Sequence, residues 1–379
     1  MLAQTPPMGW NSWNTFGENI SEALIMETAD AIVDRGFKDA GYEYVVIDDC
    51  WSLRERDENG RLVADPAKFP HGMKYLSDYI HSKGLKFGMY ACCGTTTCAG
   101  YPGSYDHEFT DAETFASWGV DYLKYDYCAR SQLAQKYPEL LYRRMGIALK
   151  ATGREIMFSA CNWGRDDVFN WARRVGAHLY RSTGDISDNF ESMKDIGMSQ
   201  IGNLATSAPG CFNDPDMLIC GMYGSGNVAV DGCTFEQYKL HFAHWCMMSA
   251  PLMIGCDVRN CDEQTRALLT DKTLLSIDQD EDCRPPFSVV ENYDPHAGAC
   301  ALFKHLSHNR YVFFLGNFTE TAGTNPLQMS DWGVSANCGY TVELHDMATG
   351  EVIKPRNDML YVYCDAYTYR LFEVKVLKK

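Results

Sequence analysis

Eight short runs rich in β-branched and aromatic residues recur along the first 254 residues, separated by polar loops and helical patterns. This alternation predicts right-handed βαβ units and a parallel sheet, which is either doubly wound or closed into a barrel. The predicted strands are Met8–Trp10, Tyr44–Asp48, Lys86–Tyr90, Tyr122–Asp126, Ile156–Cys161, His178–Arg181, Cys211–Asp214 and Pro251–Ile254. The predicted helices are Glu22–Arg35, Met73–Ser82, Asp111–Trp118, Pro138–Ala151, Phe190–Gln200 and Thr234–Met248.

Polar residues stand at the carboxyl ends of nearly all these strands, and their distribution favours the barrel. A doubly wound sheet gathers its ligand-binding groups at one switch point, whereas a (β/α)8 barrel draws them from many strand ends. Neither a dinucleotide-binding glycine motif nor a P-loop motif follows the first strand, which disfavours nucleotide binding. The strand-end residues are Trp10, Asp48, Asp49, Tyr90, Asp126, Cys161, Asn162, Arg181, Asp214 and Asp216.

The sequence changes character after about residue 284. Short alternating runs separated by Gly, Asn, Asp and Pro are typical of an antiparallel β-sandwich. We therefore predict a (β/α)8 TIM barrel over residues 1–284 and a C-terminal antiparallel β-sandwich over residues 285–379. No low-complexity linker separates the two, so we expect them to pack tightly. The predicted sandwich strands are Cys300–Phe303, Tyr311–Phe318, Tyr340–Leu344, Met359–Tyr363 and Tyr367–Val374.

The charge balance and the hydropathy pattern limit the partners of this 379-residue chain. Its 34 Lys and Arg stand against 50 Asp and Glu, and the resulting charge of −16 disfavours nucleic acid. The apolar runs are strand-sized, far below the roughly 20 residues that span a bilayer. The N-terminal sequence lacks a signal-peptide pattern, and sixteen cysteines without a CxxC pair suit a reducing compartment. We therefore expect a cytoplasmic protein with no zinc site, no membrane contact and no nucleic acid partner; secretion is the alternative if a signal peptide has been removed from this sequence.

The run YLKYDYC places Lys124, Asp126 and Cys128 at intervals of two residues. Side chains at this spacing in a strand share one face, which in a barrel is the interior. A neighbouring Lys favours the ionised form of a carboxyl group, as a nucleophile requires. A purely structural salt bridge inside the barrel is the alternative interpretation.

Two further acidic groups allow more than one interpretation. In RSTGD, Arg181 precedes Asp185 by four residues across a Gly-containing turn. In NDPD, Asp214 and Asp216 flank a proline; they could hold a divalent cation, bind substrate hydroxyls, or simply accept hydrogen bonds from backbone N–H groups. The NDPD run lacks the ligand spacing of a calcium loop and a partnering His, so we predict no metal.

A series of ordered motifs along the barrel region resembles glycoside hydrolase family 27. The motifs are MGWNSW at 8–13, IDDCW at 47–51, TCAGYPGS at 97–104, YLKYDYC at 122–128, RSTGDI at 181–186, NDPDML at 213–218, SAPLMIG at 249–255 and IDQD at 277–280. The resemblance implies a (β/α)8 barrel followed by a β-sandwich, a carbohydrate substrate and no cofactor. Family activities include α-galactosidase, α-N-acetylgalactosaminidase and β-L-arabinopyranosidase.

The resemblance also implies a role for individual residues. Asp126 matches the catalytic nucleophile and Asp185 the acid/base. The implied substrate-binding residues are Trp13, Asp48, Asp49, Tyr90, Cys98, Lys124, Cys128, Asn162 and Arg181, and Cys98 and Cys128 match a disulfide beside the pocket.

Two departures from the family pattern stand out. The chain has Cys161-Asn162-Trp163-Gly164 where animal galactosidases have CEWP. In the family's N-acetylgalactosaminidases the positions of Asn162 and Arg165 are Ser and Ala, which together give room for an acetamido group. We therefore expect a preference for galactosides over N-acetylgalactosaminides. The usual disulfide partners of Cys50 and Cys161 are missing, so we expect both to be free thiols.

Three hypotheses follow from these patterns. The leading one is a retaining exo-α-galactosidase that works by double displacement. The second is an α-N-acetylgalactosaminidase or β-L-arabinopyranosidase of the same family, and the third is a non-catalytic carbohydrate-binding barrel. A homo-oligomer is compatible with all three.

Overall fold

A computed structural model describes residues 2–130, 137–289, 298–335 and 337–379. Its first sheet contains eight parallel strands, one at each of the eight predicted positions. The N-terminal strands are β1 Met8–Asn11, β2 Tyr44–Val46, β3 Lys86–Cys92, β4 Tyr122–Asp126, β5 Met157–Cys161, β6 Leu179–Arg181, β7 Asp188–Asn189, β8 Phe212–Asp214, β9 Ala229–Gly232 and β10 Leu252–Ile254. The sheet has the order β10-β1-β2-β3-β4-β5-β6-β8, and β7 pairs with β9 in a separate ribbon.

Leu218, beyond the end of β8, joins the two edges of this sheet. It forms a parallel bridge with Ile254. Its amide donates to the Met253 carbonyl at 2.8 Å, and its carbonyl accepts from the Gly255 amide at 2.9 Å. The predicted (β/α)8 barrel is therefore confirmed.

Helices alternate with the strands and pack against the outside of the barrel. They are α1 Trp13–Phe16, α2 Glu22–Asp34, α3 Gly72–Ser82, α4 Glu108–Trp118, α5 Pro138–Ala151, α6 Val168–Trp171, α7 Phe190–Gln200, α8 Phe235–Met248, α9 Glu263–Leu269 and α10 Lys272–Asp278. All six predicted helices are present, with ends within three residues of those expected. Across the described parts of the chain, none of the helices combines the length and the apolar character needed to cross a bilayer.

Side chains of the barrel strands alternate between the interior and the helical layer. One cluster of buried side chains unites residues from six strands, among them Tyr44, Tyr122 and Met157, and only the barrel interior lets such residues meet. Their neighbours along the chain, such as Leu123 and Phe158, belong to the larger core under the helices. Within the strands this two-residue period turns residues such as Lys124 and Asp126 towards the mouth of the barrel.

The C-terminal region forms two antiparallel layers. Its strands are β11 Phe287–Ser288, β12 Ala299–Leu306, β13 Arg310–Asn317, β14 Gly323–Gln328, β15 Tyr340–Asp346, β16 Val352–Ile353, β17 Met359–Cys364 and β18 Tyr369–Lys378. Six of them pair in the order β11-β12-β13-β18-β15-β16, and β14 pairs with β17. Side chains from both layers share one apolar cluster, which includes Phe313, Leu360 and Val362. The predicted β-sandwich is confirmed, and residue 284 lies between α10 and β11.

The two domains share a buried interface with polar links. The fully buried Lys304 of β12 donates to the Ser249 hydroxyl at 2.6 Å and to the Ile277 carbonyl at 3.0 Å, both in the barrel domain. Asp280 of the IDQD motif accepts bonds from the Ser307 amide and hydroxyl at 2.9 and 2.8 Å. This motif therefore fixes the sandwich on the barrel, which agrees with the expected tight packing.

Candidate active site

A cavity opens at the carboxyl ends of the barrel strands, where the sequence placed its polar residues. Nine of the eleven predicted site residues line it: Trp13, Asp48, Asp49, Tyr90, Cys98, Lys124, Asp126, Arg181 and Asp185. The remaining two, Cys128 and Asn162, lie behind the wall. The cavity also has lining residues that the prediction did not assign to substrate binding, including Asn14, Cys161, Trp163, Asp216 and Met217.

Asp126, the last residue of β4, is held rigidly within the cavity wall. It is only 7% exposed. One carboxylate oxygen accepts from the Tyr90 hydroxyl at 2.7 Å, and the other accepts from the Tyr127 amide at 2.8 Å. Burial raises the pKa of Asp126, while Lys124 and the Tyr90 hydrogen bond oppose that rise.

Lys124 and Asp48 form an ion pair beside Asp126. The ammonium lies 2.7 Å from Asp48 Oδ2, and Asn11 donates to the same oxygen at 2.8 Å. Burial alone would lower the pKa of Lys124, but Asp48 and the other nearby acidic groups raise it above its ordinary value. Lys124 therefore stays cationic, and its positive charge favours the ionised form of Asp126.

Asp185 lies on the opposite side of the cavity and is held differently. Its side chain is 74% exposed, and its contact with the protein is an ion pair with Arg181 at 2.6 Å. Although partial desolvation raises the pKa of Asp185, the Arg181 guanidinium outweighs it and holds that pKa below its usual value. Arg181 itself is buried, and its second terminal nitrogen pairs with Asp216 at 2.9 Å.

The NDPD run mainly organises this side of the cavity. Asp214 accepts from the Asp216 amide at 2.9 Å, and Asp216 accepts from the amides of Ile186 and Met217 at 2.8 and 2.7 Å. Burial raises the pKa of Asp214 to about 6. The NDPD carboxylates thus accept the backbone hydrogen bonds that the sequence allowed, while Asp216 also pairs with Arg181 and lines the cavity.

The geometry gives two carboxylates with different freedom around one cavity. A buried, fixed carboxylate is suited to attack a carbon atom, whereas an exposed carboxylate at the rim can exchange protons with a leaving group and with water. The pKa directions taken alone would assign the roles the other way round, because the pKa of Asp126 is raised and that of Asp185 is lowered. Position and accessibility decide here, because a displacement reaction requires fixed geometry.

Comparisons with known proteins identify the family. A sequence model described as Alpha galactosidase A matches residues 5–280. An α-galactosidase from Cyamopsis tetragonoloba is 42% identical over 349 residues, which cover 91% of this chain and 80% of the relative. α-Galactosidase I from Mortierella vinacea superposes with a TM-score of 0.88 at 32% identity, covering 98% of this chain and 97% of that structure. The chain belongs to the α-galactosidase family, glycoside hydrolase family 27.

The solved structures similar to this chain include an α-galactosidase bound to a sugar. The Saccharomyces cerevisiae α-galactosidase with raffinose matches at a TM-score of 0.86 and 28% identity, covering 99% of this chain and 98% of that one. The aligned region includes the whole barrel and the sandwich, so the family's two-domain architecture is preserved in this chain.

The cysteines around the active site of this α-galactosidase family member behave as expected. Cys98 and Cys128 form a disulfide whose Cα atoms are 5.3 Å apart. One atom each of Cys98, Asp126 and Cys128 lie within 4.8 Å of one another, but sulfurs joined in a disulfide are not thiolate ligands for a metal. Cys50 and Cys161 are buried free thiols, as predicted.

The loop after β5 differs from the expectation. Asn162 has no exposed surface, and its side-chain amide donates to the Arg165 carbonyl. Cys161 and Trp163 line the cavity instead. Cys161, the last residue of β5, has the parity of the inward-facing Met157, whereas Trp163 lies in the turn beyond the strand, with a positive φ of 59°. The two-residue period that placed Lys124 beside Asp126 would have found Cys161 but not Trp163.

Arg165 does not fill the cavity either. It is exposed, and its guanidinium lies 5.3 Å from the centre of the Trp163 ring. Neither of the two positions expected to exclude an acetamido group therefore lines the cavity, and the indole of Trp163 is the bulky group that does.

Proposed function

We propose that the protein is a retaining exo-α-galactosidase that removes terminal α-linked galactose from small carbohydrates. The observation that carries this proposal is the pairing of a rigid, buried Asp126 with an exposed Asp185 around one cavity. Its family membership supports the proposal, because the family's relatives include α-galactosidases over most of the chain length.

In the first step, Asp126 attacks the anomeric carbon and a glycosyl ester forms, while Asp185 donates a proton to the departing oxygen. Tyr90 and the Tyr127 amide hold the Asp126 carboxylate in position. Lys124 keeps Asp126 ionised, and its charge offsets the loss of carboxylate hydration in the closed cavity.

In the second step, Asp185 removes a proton from water, the water attacks the anomeric carbon, and the ester bond to Asp126 breaks. The lowered pKa of Asp185 favours the ionised carboxylate, which is the form that acts as the base at the start of this step. For the first step a proton must reside on Asp185, so the ion pair with Arg181 has to weaken when the substrate occupies the cavity.

Recognition of the sugar falls to the neighbouring polar groups and ring faces. Asp48 and Asp49 are both buried at the cavity and would accept hydrogen bonds from adjacent sugar hydroxyls. The rings of Trp13 and Trp163 supply apolar walls. A carboxylate left without its hydroxyl partner costs binding energy, so sugars lacking the 6-hydroxyl group should be poorer substrates.

Turnover and product stereochemistry test the proposal directly. The purified protein is assayed on nitrophenyl α-galactoside, the matching N-acetylgalactosaminide and β-L-arabinopyranoside, and on raffinose. We expect the galactoside to be the best aryl substrate. A proton NMR time course should show α-galactose as the first product; β-galactose appearing first, or no turnover of any substrate, would overturn the proposal.

We also propose that the protein works in the cytoplasm. Sixteen cysteines minus the two in the disulfide leave fourteen free thiols, thirteen of them wholly or partly buried, and such a set persists best under reducing conditions. Fractionation of the native host, followed by immunodetection, tests this placement.

A further inference from the structure

Two free thiols meet where the loop after β10 turns back on itself. Cys256 follows the strand, and the chain then makes a tight turn in which the amides of Asn260 and Cys261 both donate to the Asp257 carbonyl, at 3.1 and 3.0 Å. The turn brings Cys261 back beside Cys256, close enough for each thiol to influence the pKa of the other. Cys256 is 1% exposed and Cys261 is partly exposed.

Arg35, at the C-terminal end of α2, holds this turn from outside. One terminal nitrogen lies 3.3 Å from the Cys261 sulfur and 2.5 Å from the Val258 carbonyl. The other donates to the Cys261 carbonyl at 2.6 Å. A cation at hydrogen-bond distance stabilises a thiolate. Of the two cysteines, Cys261 is therefore both the more exposed one and the one whose thiolate has an adjacent positive charge.

We propose that Cys261 is a peroxide-reactive thiol and that Cys256 resolves it, so that oxidation converts the pair reversibly into a disulfide. Cys261 has the accessible position and the guanidinium that a reactive thiol needs. Cys256 is shielded from solvent, and oxidant reaches it through Cys261. The neighbouring Cys256 thiol and Arg35 also hold the pKa of Cys261 below its ordinary value, despite partial burial.

The chemistry balances with hydrogen peroxide as the oxidant. The Cys261 thiolate attacks one peroxide oxygen, the O–O bond breaks, and a sulfenic acid forms as one water is released. The Cys256 sulfur then attacks the Cys261 sulfur, the S–O bond breaks and a second water leaves with the remaining thiol proton. A dithiol reverses the reaction by exchange.

The surroundings keep Cys256 in place for the second step. The Trp10 indole donates to the Cys256 carbonyl at 2.9 Å, and the Thr15 hydroxyl donates to the preceding Gly255 carbonyl at 2.6 Å. The sulfur that moves on oxidation is therefore that of Cys261, which lies on the more exposed arm of the turn.

Peptide mapping after peroxide treatment tests the proposal. The folded protein is treated with hydrogen peroxide, its remaining thiols are alkylated, and it is digested with trypsin. Cleavage after Lys239, Arg259 and Arg266 separates peptides 240–259 and 260–266, which the proposed disulfide keeps together. We expect this linked pair as the first oxidation product and its release by dithiothreitol.

The chain offers matched controls. Cys246 lies on the same tryptic peptide as Cys256 and is fully buried, so Cys246→Ser should preserve the linked peptides. Cys256→Ser should abolish the link and leave a sulfenic acid on Cys261, which dimedone traps.

A second control is Cys338, which is exposed and whose sulfur is 3.8 Å from the Tyr340 carbonyl. Cys338 therefore measures reactivity from exposure alone.

Two results would overturn the proposal. The first is faster oxidation of Cys338 than of Cys261 in the wild type, and the second is a linked peptide that survives in Cys256→Ser. Arg35→Gln should slow oxidation of Cys261 by roughly tenfold, because a neighbouring cation changes the thiolate fraction by about that factor. Arg35→Lys retains the charge and should retain most of the rate.

Discussion

On the β2–β4 side of the cavity, Asp126 is buried and bound by Tyr90 and a backbone amide, whereas on the β6–β8 side Asp185 is exposed and bound by Arg181. The first side surrounds its carboxylate with fixed donors. The second side fixes the cation instead, since Arg181 is buried against Asp216, and leaves the acid at the rim. A nucleophile must not move relative to the anomeric carbon, while an acid/base must exchange protons with two partners in turn.

The largest expected effect comes from the buried side. Asp126→Asn keeps the shape of the side chain and can still accept from the Tyr127 amide, but it cannot form the ester. We therefore expect kcat to fall by roughly 10⁴-fold or more on every substrate. Circular dichroism should show an unchanged fold. If azide restored turnover to this variant and not to Asp185→Asn, the assignment of nucleophile and acid/base would have to be reversed.

A smaller and substrate-dependent effect is expected on the exposed side. Asp185→Asn should lose about 10²- to 10⁴-fold on raffinose, whose leaving group needs a proton, and much less in the first step on an activated aryl galactoside. Azide should accelerate the second step of that variant, because it needs no base. Equal losses on both substrates would argue against a proton-donating role for Asp185.

The loop after β5 provides a comparison between adjacent residues. Trp163→Ala should change the kcat/KM ratio of galactoside to N-acetylgalactosaminide by roughly 10- to 200-fold, because it removes the group that faces the cavity. Asn162→Ser should leave that ratio nearly unchanged, since Asn162 lies behind the wall. The opposite ranking of the two variants would show that the position of Trp163 at the cavity does not decide specificity.

The pH dependence of kcat/KM should show the difference between the two carboxylates most finely. The proposed mechanism needs Asp126 ionised and Asp185 protonated, whereas burial raises the pKa of Asp126 and Arg181 lowers that of Asp185. The reactive form is therefore a minority of the free enzyme, and each limb belongs to the pair of carboxylates rather than to one of them. The profile should be a narrow bell on the acidic side of neutrality, falling about tenfold per pH unit beyond each limb. On an activated aryl galactoside, Asp185→Asn should lose the basic limb and keep the acidic one.

Much of this architecture was predictable because it depends on local pattern. Strands such as Tyr122–Asp126 and helices such as Pro138–Ala151 appear where periodicity placed them. The ribbon strand β14 was not predicted, because its sequence GTNPLQ contains Gly, Asn and Pro, and pairing with β17 rather than propensity makes it a strand. Helices α9 and α10 were also omitted, although Asp262 and Asp271 carry a recognisable N-cap signal.

The sequence by itself determined the barrel and the sandwich and singled out both acidic residues of the proposed mechanism, because periodicity and residue type are local properties of the chain. Tertiary structure alone decided how those residues are held. Asp126 and Tyr90 are 36 positions apart, and Asp48 and Lys124 are 76 apart, yet each pair is joined by one 2.7 Å contact. Such contacts arise only when the barrel closes and brings the strand ends to one mouth, so burial, pKa and accessibility follow from closure rather than from the order of residues.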